Sequence, residues 1–365
     1  MGVLRLFLAF VVLDEHFGLT PTRWCINAGL AVDCFYVISG YYMALLLTGP
    51  YKGRLKHYYA NRLLRIWPVY LTVLGLSVLL YLGVADWQRP WPAAYQYWHN
   101  YSRLLVPGTT AYLWVSQLAI VGQEWATFLN VSSHWGGFTA NWSGPLSNAS
   151  LEKFLFIPQG WSLGIEEFFY LLSPLYIRFS SKVLGALLVA GLAFVIAMEW
   201  TGGMPMAGRF PLNGLSVFAA GILSFRLGQG LDKAFLSRYA WLVAALLAAL
   251  IIGRPSLPIG HGAARVLLVL GMLGSLPFIF HLSADSPWDR RLGEYSYPLY
   301  VGHFLALGLV IWLGFSIEDK AVLLLFSAGV ALVLRHGIEK PIEPIRRRLR
   351  EGLPAAAFRG NKGPR

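Results

Sequence analysis

Four places in this chain put chemically active residue types where such residues are expensive. The first is RLFLAFVVLDEH, residues 5 to 16. At roughly 100° per residue, Arg5 and His16 return to one helix face, about 16 Å apart along the axis. An imidazole at the end of an apolar helix is a candidate base; the plain alternative is a satisfied structural histidine. The second is Asp33 in AVDCFYVISG, at a depth similar to His16. A carboxylate beside a neutral imidazole holds its tautomer and stabilises imidazolium; the plain alternative is a helix-start charge facing water. The third is Glu166-Glu167 in GWSLGIEEFFYLLSP. Neighbours on a helix point about 100° apart, so one carboxylate faces the interior and the other suits an interface. The fourth is Arg62 and Arg65 in RLLRIWP. Two guanidinium groups at i, i+3 share a face and suit phosphate oxygens, unless they merely flank a membrane span.

These residues need elements to hold them, and composition says which. The 365 residues are 56% hydrophobic and 13% charged, about half the charged share of an average globular domain. Such a chain cannot cover a soluble surface with polar groups, and it is too apolar for disorder. A polytopic helical membrane protein remains. The two cysteines, Cys25 and Cys34, argue against a disulfide framework or a thiolate metal site. Hydropathy predicts about ten spans near 3–18, 29–47, 66–84, 162–178, 183–200, 212–226, 239–253, 265–282, 295–314 and 321–336. The first run lacks a signal-peptide cleavage site.

Lys and Arg counting orients the bundle. With the N-terminus inside, 22 of the 30 basic residues fall on inner segments and 8 on outer ones. Both termini are then cytoplasmic in an inner-membrane protein. The net charge of +12 faces anionic lipid, which removes nucleic acid as a partner. We divide the chain into one transmembrane domain, 1–336, and a basic cytoplasmic tail, 337–365, in which Arg346-Arg347-Arg348-Leu349-Arg350 is a membrane-surface anchor. Span ten ends at Glu339-Lys340-Pro341.

Residues 113–131 are apolar but carry Gln117, Gln123 and Glu124, and counting them as a span would place the basic tail outside. Residues 85–160 are therefore read as one outer connection with a re-entrant or interfacial helix. The connection holds Trp87, Trp91, Trp98, Trp114, Trp125, Trp135 and Trp142. These rings serve either as an interfacial belt or as stacking faces for sugars. In depth order, His16, Asp33 and Glu166 lie near the outer third, and Arg5, Arg62 and Arg65 near the inner edge. A base set at one end and an anion clamp at the other fit a ligand with a phosphorylated head and a thin arm.

At this point the motifs resemble the membrane-bound acyltransferase family 3, whose members O-acylate cell-surface glycans in bacteria. The matching pieces are Arg5-x10-His16, VDCFYVISGYY (32–42), RLLRIWPVY (62–70), VGQEW (121–125), IPQGWSLGIEEFFYLLSP (157–174), YSYPLYVGHF (295–304) and IEKP (338–341), in family order. The resemblance implies a bundle of about ten helices, with acyl-CoA, commonly acetyl-CoA, as co-substrate from the cytosol. The acceptor is a hydroxyl of an extracytoplasmic or lipid-linked sugar. By motif, His16 matches the proposed base with Arg5 its partner, Asp33 and Glu166 match the acidic positions, and Arg62 and Arg65 match the pair thought to meet CoA. His303 matches a recurrent family histidine; with Trp161 and Tyr36 it is assigned to substrate contact. The chemistry agrees, since acyl transfer to an alcohol needs a base of near-neutral pKa and a donor for the oxyanion. That donor is not evident in the sequence. No metal or resident cofactor is expected. A glycolipid or polysaccharide transporter using the same ionisable groups for proton coupling is the alternative, and a non-catalytic sensor is the third reading.

Overall fold

The computed structural model describes residues 1–20, 24–132, 136–140, 150–202 and 207–351. Arg23, Trp135, Trp142 and the tail past 351 lie outside the described residues. The structure is 79% helical. In chain order the helices are α1 (Gly2–Phe17), α2 (Ala28–Thr48), α3 (Leu55–Leu82), α4 (Ala93–Tyr101), α5 (Pro107–Ala119), α6 (Gln123–Ala126), α7 (Gly160–Tyr176) and α8 (Ser181–Thr201). They continue with α9 (Pro211–Gln229), α10 (Lys233–Gly253), α11 (His261–Ser283), α12 (Pro287–Gly293), α13 (Ser296–Trp312), α14 (Lys320–Leu334) and α15 (Lys340–Glu351). Each of the ten apolar segments is a helix: α1, α2, α3, α7 to α11, α13 and α14. A small antiparallel hairpin, β1 (Leu129–Val131) with β2 (Phe138–Ala140), sits in the long connection.

The helices alternate in direction, so the bundle has two ends. One carries the 83–159 connection and is called the loop end; the other carries the 49–54 turn and α15 and is called the basic end. Among the described residues six helices are long and apolar enough to cross a membrane by length and composition. Peripheral helices α8, α10 and α14 turn Val189, Trp241, Leu325 and Val333 outward, each at least 66% exposed. So much exposed apolar surface is stable only in lipid, and the chain is a membrane protein. The shorter α1, α7, α9 and α13 line the middle, where Val217, Phe218, Val301 and Phe169 are fully buried. Helices α2 and α9 cross closest, through two glycines. A Cβ on Gly40 would lie 2.2 Å from the Phe218 carbonyl oxygen, and one on Gly221 would lie 2.0 Å from that of Val37. Small residues at a crossing let backbones approach and gain dispersion contact.

The stretch 113–131 is not one helix. It breaks after Ala119, and the chain reverses through Ile120 and Gly122, both at positive φ. Its polar side chains, Gln117, Gln123 and Glu124, find partners inside the protein, with Gln123 Oε1 alone of the three left buried without one. Gln117 Oε1 accepts from the Phe156 amide at 2.7 Å, Gln123 Nε2 donates to Tyr70 OH at 2.8 Å, and Glu124 Oε2 accepts from the Gly122 amide at 2.8 Å. Trp91 and Trp98 are buried; Trp98 and Phe156 stack in parallel planes, and Trp114 packs tilted against both. Trp91, Trp98 and Trp114 thus belong to the packed interior of the connection, whereas Trp125 is exposed.

The helical backbone does not stop at Glu339-Lys340-Pro341, where the apolar span was expected to end. The chain stays helical through a π-helical turn, Arg335–Glu339, into α15. That turn already changes the hydrogen-bond register, so the missing Pro341 N–H costs little there. Helix α15 docks on α3 and does not lie apart as a tail.

Candidate active site

At the loop end, His16 meets His303, not Asp33. His16 Nδ1 lies 2.9 Å from His303 Nε2, and His303 Nδ1 lies 2.7 Å from the Tyr300 carbonyl oxygen. A carbonyl only accepts, so His303 Nδ1 carries a proton and its Nε2 offers a lone pair. His16 Nδ1 must then be the donor, which leaves His16 Nε2 unprotonated. Phe17 and Phe304 border the two imidazoles. His303 is buried and His16 is exposed. The sequence pointed to a carboxylate as the orienting group because Asp33 and His16 sit at like depth. Depth does not decide which face a side chain takes.

Asp33 instead accepts from Arg265 Nε at 2.5 Å, an ion pair that is 1% exposed on its acidic side. The pair floors a vestibule of about 200 Å³ between the loop-end termini of α1, α2, α7, α8 and α11. Its walls include Trp161, Glu15, Asn27, Glu199, Arg209 and His261. The Arg209 guanidinium stacks over the Trp161 ring at 5.0 Å and pairs with Glu152 at 3.2 Å. Glu15, next to His16, caps α2 through the Ala28 amide. Arg265 and Arg209 were missed in the sequence, although Arg265, a charge opening an apolar run, was a signal that could have found the pair.

Glu166 does not share the loop-end depth of His16 and Asp33. One helix turn past Ser162, it lines a second, internal cavity of about 80 Å³ with Arg5, Ser39, Tyr36, Tyr42 and Tyr297. Ser39 Oγ donates to Glu166 Oε1 at 2.6 Å, and Tyr170 OH donates to the same oxygen. Glu167, turned away on the helix, accepts from the Trp67 indole at 2.5 Å. Arg5 lines the cavity with no ion-pair partner among the described residues. Arg5 and His16 thus lie at two levels of one helix face and do not touch. The cavity closes toward the loop end where Tyr300 OH and Ser162 Oγ hydrogen-bond at 2.6 Å; Tyr36 OH donates to the Ser162 carbonyl at 3.3 Å. Of the three residues assigned to substrate contact, Trp161 lines the vestibule, Tyr36 lines the internal cavity, and His303 backs His16.

The basic end gathers cations. Arg65 Nη1 pairs with Glu339 at 2.9 Å and lies over the Tyr297 ring at 5.6 Å. Arg62 lies over the Tyr170 ring at 5.7 Å and donates to Asn61 Oδ1 at 2.8 Å. Tyr297 and Tyr170 thus connect this end with the internal cavity. Arg346, on α15 past the last apolar helix, joins the group; burial first, then the charges of Arg65 and Arg62, push its pKa below the ordinary guanidinium value. No group of three or more potential metal ligands occurs among the described residues.

A helical membrane protein with a histidine relay at one end and clustered arginines at the other defines the class. The family model for the acyltransferase 3 domain, described as an acyltransferase domain, matches residues 3–334, and the chain belongs to this family. No curated protein and no solved structure matches the chain.

Proposed function

We propose that this acyltransferase is an O-acyltransferase of the bacterial inner membrane. It moves an acyl group, acetyl by default, from cytosolic acyl-CoA to a hydroxyl of an extracytoplasmic or lipid-linked sugar. The observation that carries the reading is the relay Tyr300 carbonyl, His303, His16, which leaves a lone pair on His16 Nε2 at the end of the bundle where a polar vestibule opens. Ten spans with both termini cytoplasmic put the basic end in the cytosol and the vestibule outside.

In this reading the CoA phosphates stay at Arg62 and Arg65, and the pantetheine arm runs past Tyr297 and Arg5 into the internal cavity. The Tyr300–Ser162 hydrogen bond parts to admit the thioester. A sugar hydroxyl enters from the vestibule. His16 Nε2 takes its proton as the oxygen attacks the thioester carbonyl. The C–S bond then breaks, and the proton passes to the leaving CoA thiolate. His303 accepts the remaining His16 N–H and so holds the ring through the imidazolium stage. Asp33 acts through Arg265 by shaping the vestibule, and Glu166 sets the polarity of the thioester path. The transporter alternative is not favoured, because membership of an acyltransferase family speaks for covalent transfer.

The test is His16→Ala and His16→Gln, assayed with radiolabelled acetyl-CoA on membranes that contain the native glycans. General-base loss predicts a fall of about 10²–10⁴ in label transfer, with insertion and thermal stability retained. Wild-type rates in either variant would remove the mechanism. Transport without label would restore the alternative.

A further inference from the structure

At the basic end, the charges do not balance. Arg335 takes Glu294 and, at 3.0 Å, Glu343; it also lies 3.8 Å from Glu339. Arg65 takes the other oxygen of Glu339. Among the described residues Arg62 and Arg346 have no carboxylate partner, and the Nε of each is buried without a hydrogen-bond partner. Buried guanidinium N–H groups without acceptors are costly, and two such groups beside a third cation repel one another. The arrangement is nevertheless fixed in place. Asn61 holds both: its Oδ1 accepts from Arg62, and its Nδ2 donates to the Arg346 carbonyl at 2.8 Å. Arg54 donates to the Leu349 carbonyl at 2.5 Å and to that of Arg350 at 3.3 Å, which ties down the far part of α15. Hydrogen bonds to the α15 backbone, with the Arg335–Glu343 pair, thus hold Arg346 beside two other cations, where its own charge is disfavoured.

We propose that α15 is part of a phosphate site, in which Arg346 joins Arg62 and Arg65 on the phosphate monoester of a soluble ligand. Three guanidinium groups and one shared carboxylate suit a group of charge near −2 with three acceptor oxygens. The inference rests on the proposed function in that the ligand is CoA, whose phosphate monoester is this group. An anionic lipid headgroup offers the same oxygens at lower charge. The basic residues of α15 then differ in role. Arg347 is exposed and pairs with Glu351 at 2.8 Å along its own helix, whereas Arg346 faces α3.

The experiment measures CoA and dephospho-CoA binding by calorimetry, with the full chain in nanodiscs of phosphatidylcholine or of phosphatidylcholine with phosphatidylglycerol. Arg346→Ala is expected to weaken CoA binding about tenfold or more, as for loss of charge-assisted hydrogen bonds. Arg346→Lys keeps the charge, loses the fork, and falls between. Arg347→Ala binds as wild type. Dephospho-CoA binds wild type more weakly, and Arg346→Ala makes no further difference to it. Unaltered thermal midpoints show that the variants are folded. Wild-type CoA affinity in Arg346→Ala, with loss in Arg62→Ala and Arg65→Ala, would overturn the role of α15 while leaving the donor site intact. An Arg346 effect confined to phosphatidylglycerol discs would assign the phosphate to lipid and overturn the soluble ligand. No CoA binding by wild type would overturn the proposed function itself.

Discussion

Replacing His303 separates a positioning role from a structural one. Its Nε2 accepts from His16 Nδ1 at 2.9 Å, and its own Nδ1–H is held by the Tyr300 carbonyl at 2.7 Å. In His303→Leu, of similar bulk, the acceptor is gone while the apolar contacts with Phe17 and Phe304 are largely kept. In the ground state the lost bond joins neutral groups and contributes about 0.5–1.5 kcal/mol. In the transition state His16 approaches imidazolium, and a hydrogen bond from a charged donor contributes about 1.5–3 kcal/mol. Acceleration comes from the transition-state bond, partly offset by what the ground state already had. Taken whole, about 1.5–3 kcal/mol corresponds to a fall in kcat of roughly 10–150-fold. That is smaller than the effect expected for His16→Ala. The KM for acetyl-CoA should not move, because His303 is remote from the arginines. His303→Gln places an amide oxygen where Nε2 was and should recover part of the loss. The assay is steady-state transfer of radiolabelled acetyl groups to glycan in nanodiscs. Equal rates for wild type and the leucine variant would refute the relay. Equal rates for the leucine and glutamine variants would show that packing, and not the acceptor, is what His303 supplies.

Two further outcomes concern stability. Asp33→Ala strands Arg265 in a buried position and should cost about 3–5 kcal/mol; Asp33→Ala with Arg265→Leu should recover much of it in thermal unfolding, and a single variant as stable as wild type would show that the pair is idle. Gly40→Ala forces a methyl against the Phe218 carbonyl at 2.2 Å and should lower stability by about 1–3 kcal/mol through overpacking, whereas Gly75→Ala, with nothing within 4 Å of the new Cβ, should be tolerated. An unchanged melting point in Gly40→Ala would mean that α2 and α9 can separate freely.

Much of the architecture was legible because lipid leaves few choices. An apolar run must become a helix when water cannot satisfy its backbone, and so the ten predicted runs coincide with ten helices to within a turn or so at most ends. The start of α3 is the main difference. It begins at Leu55, well before the apolar run at 66, because Lys56, Arg62 and Arg65 continue the helix beyond its apolar part. The polar interruption at Gln117, Gln123 and Glu124 correctly signalled that 113–131 is not a plain span. The reversal at Ile120 was not legible, because a positive φ at an isoleucine has no sequence signature.

From sequence alone came the membrane class, the ten helices, the family motifs and the gathering of Arg62 and Arg65 at one end. The motifs came from resemblance to a known family; the rest follow from composition, from period and from charge counting, all of which act along the chain. Partner choice was decided only in three dimensions. His16 could have met Asp33, but the rotation of α2 turns Asp33 toward Arg265 on α11 and leaves His16 to α13. Likewise Glu166 turned inward to Ser39 and Arg5, and Arg346 reached α3 through a π turn that no periodicity announces. A residue's depth is set by its own helix, but its neighbour is set by how several helices rotate and pack against one another. The packing energy that settles those rotations is spread over residues far apart in sequence.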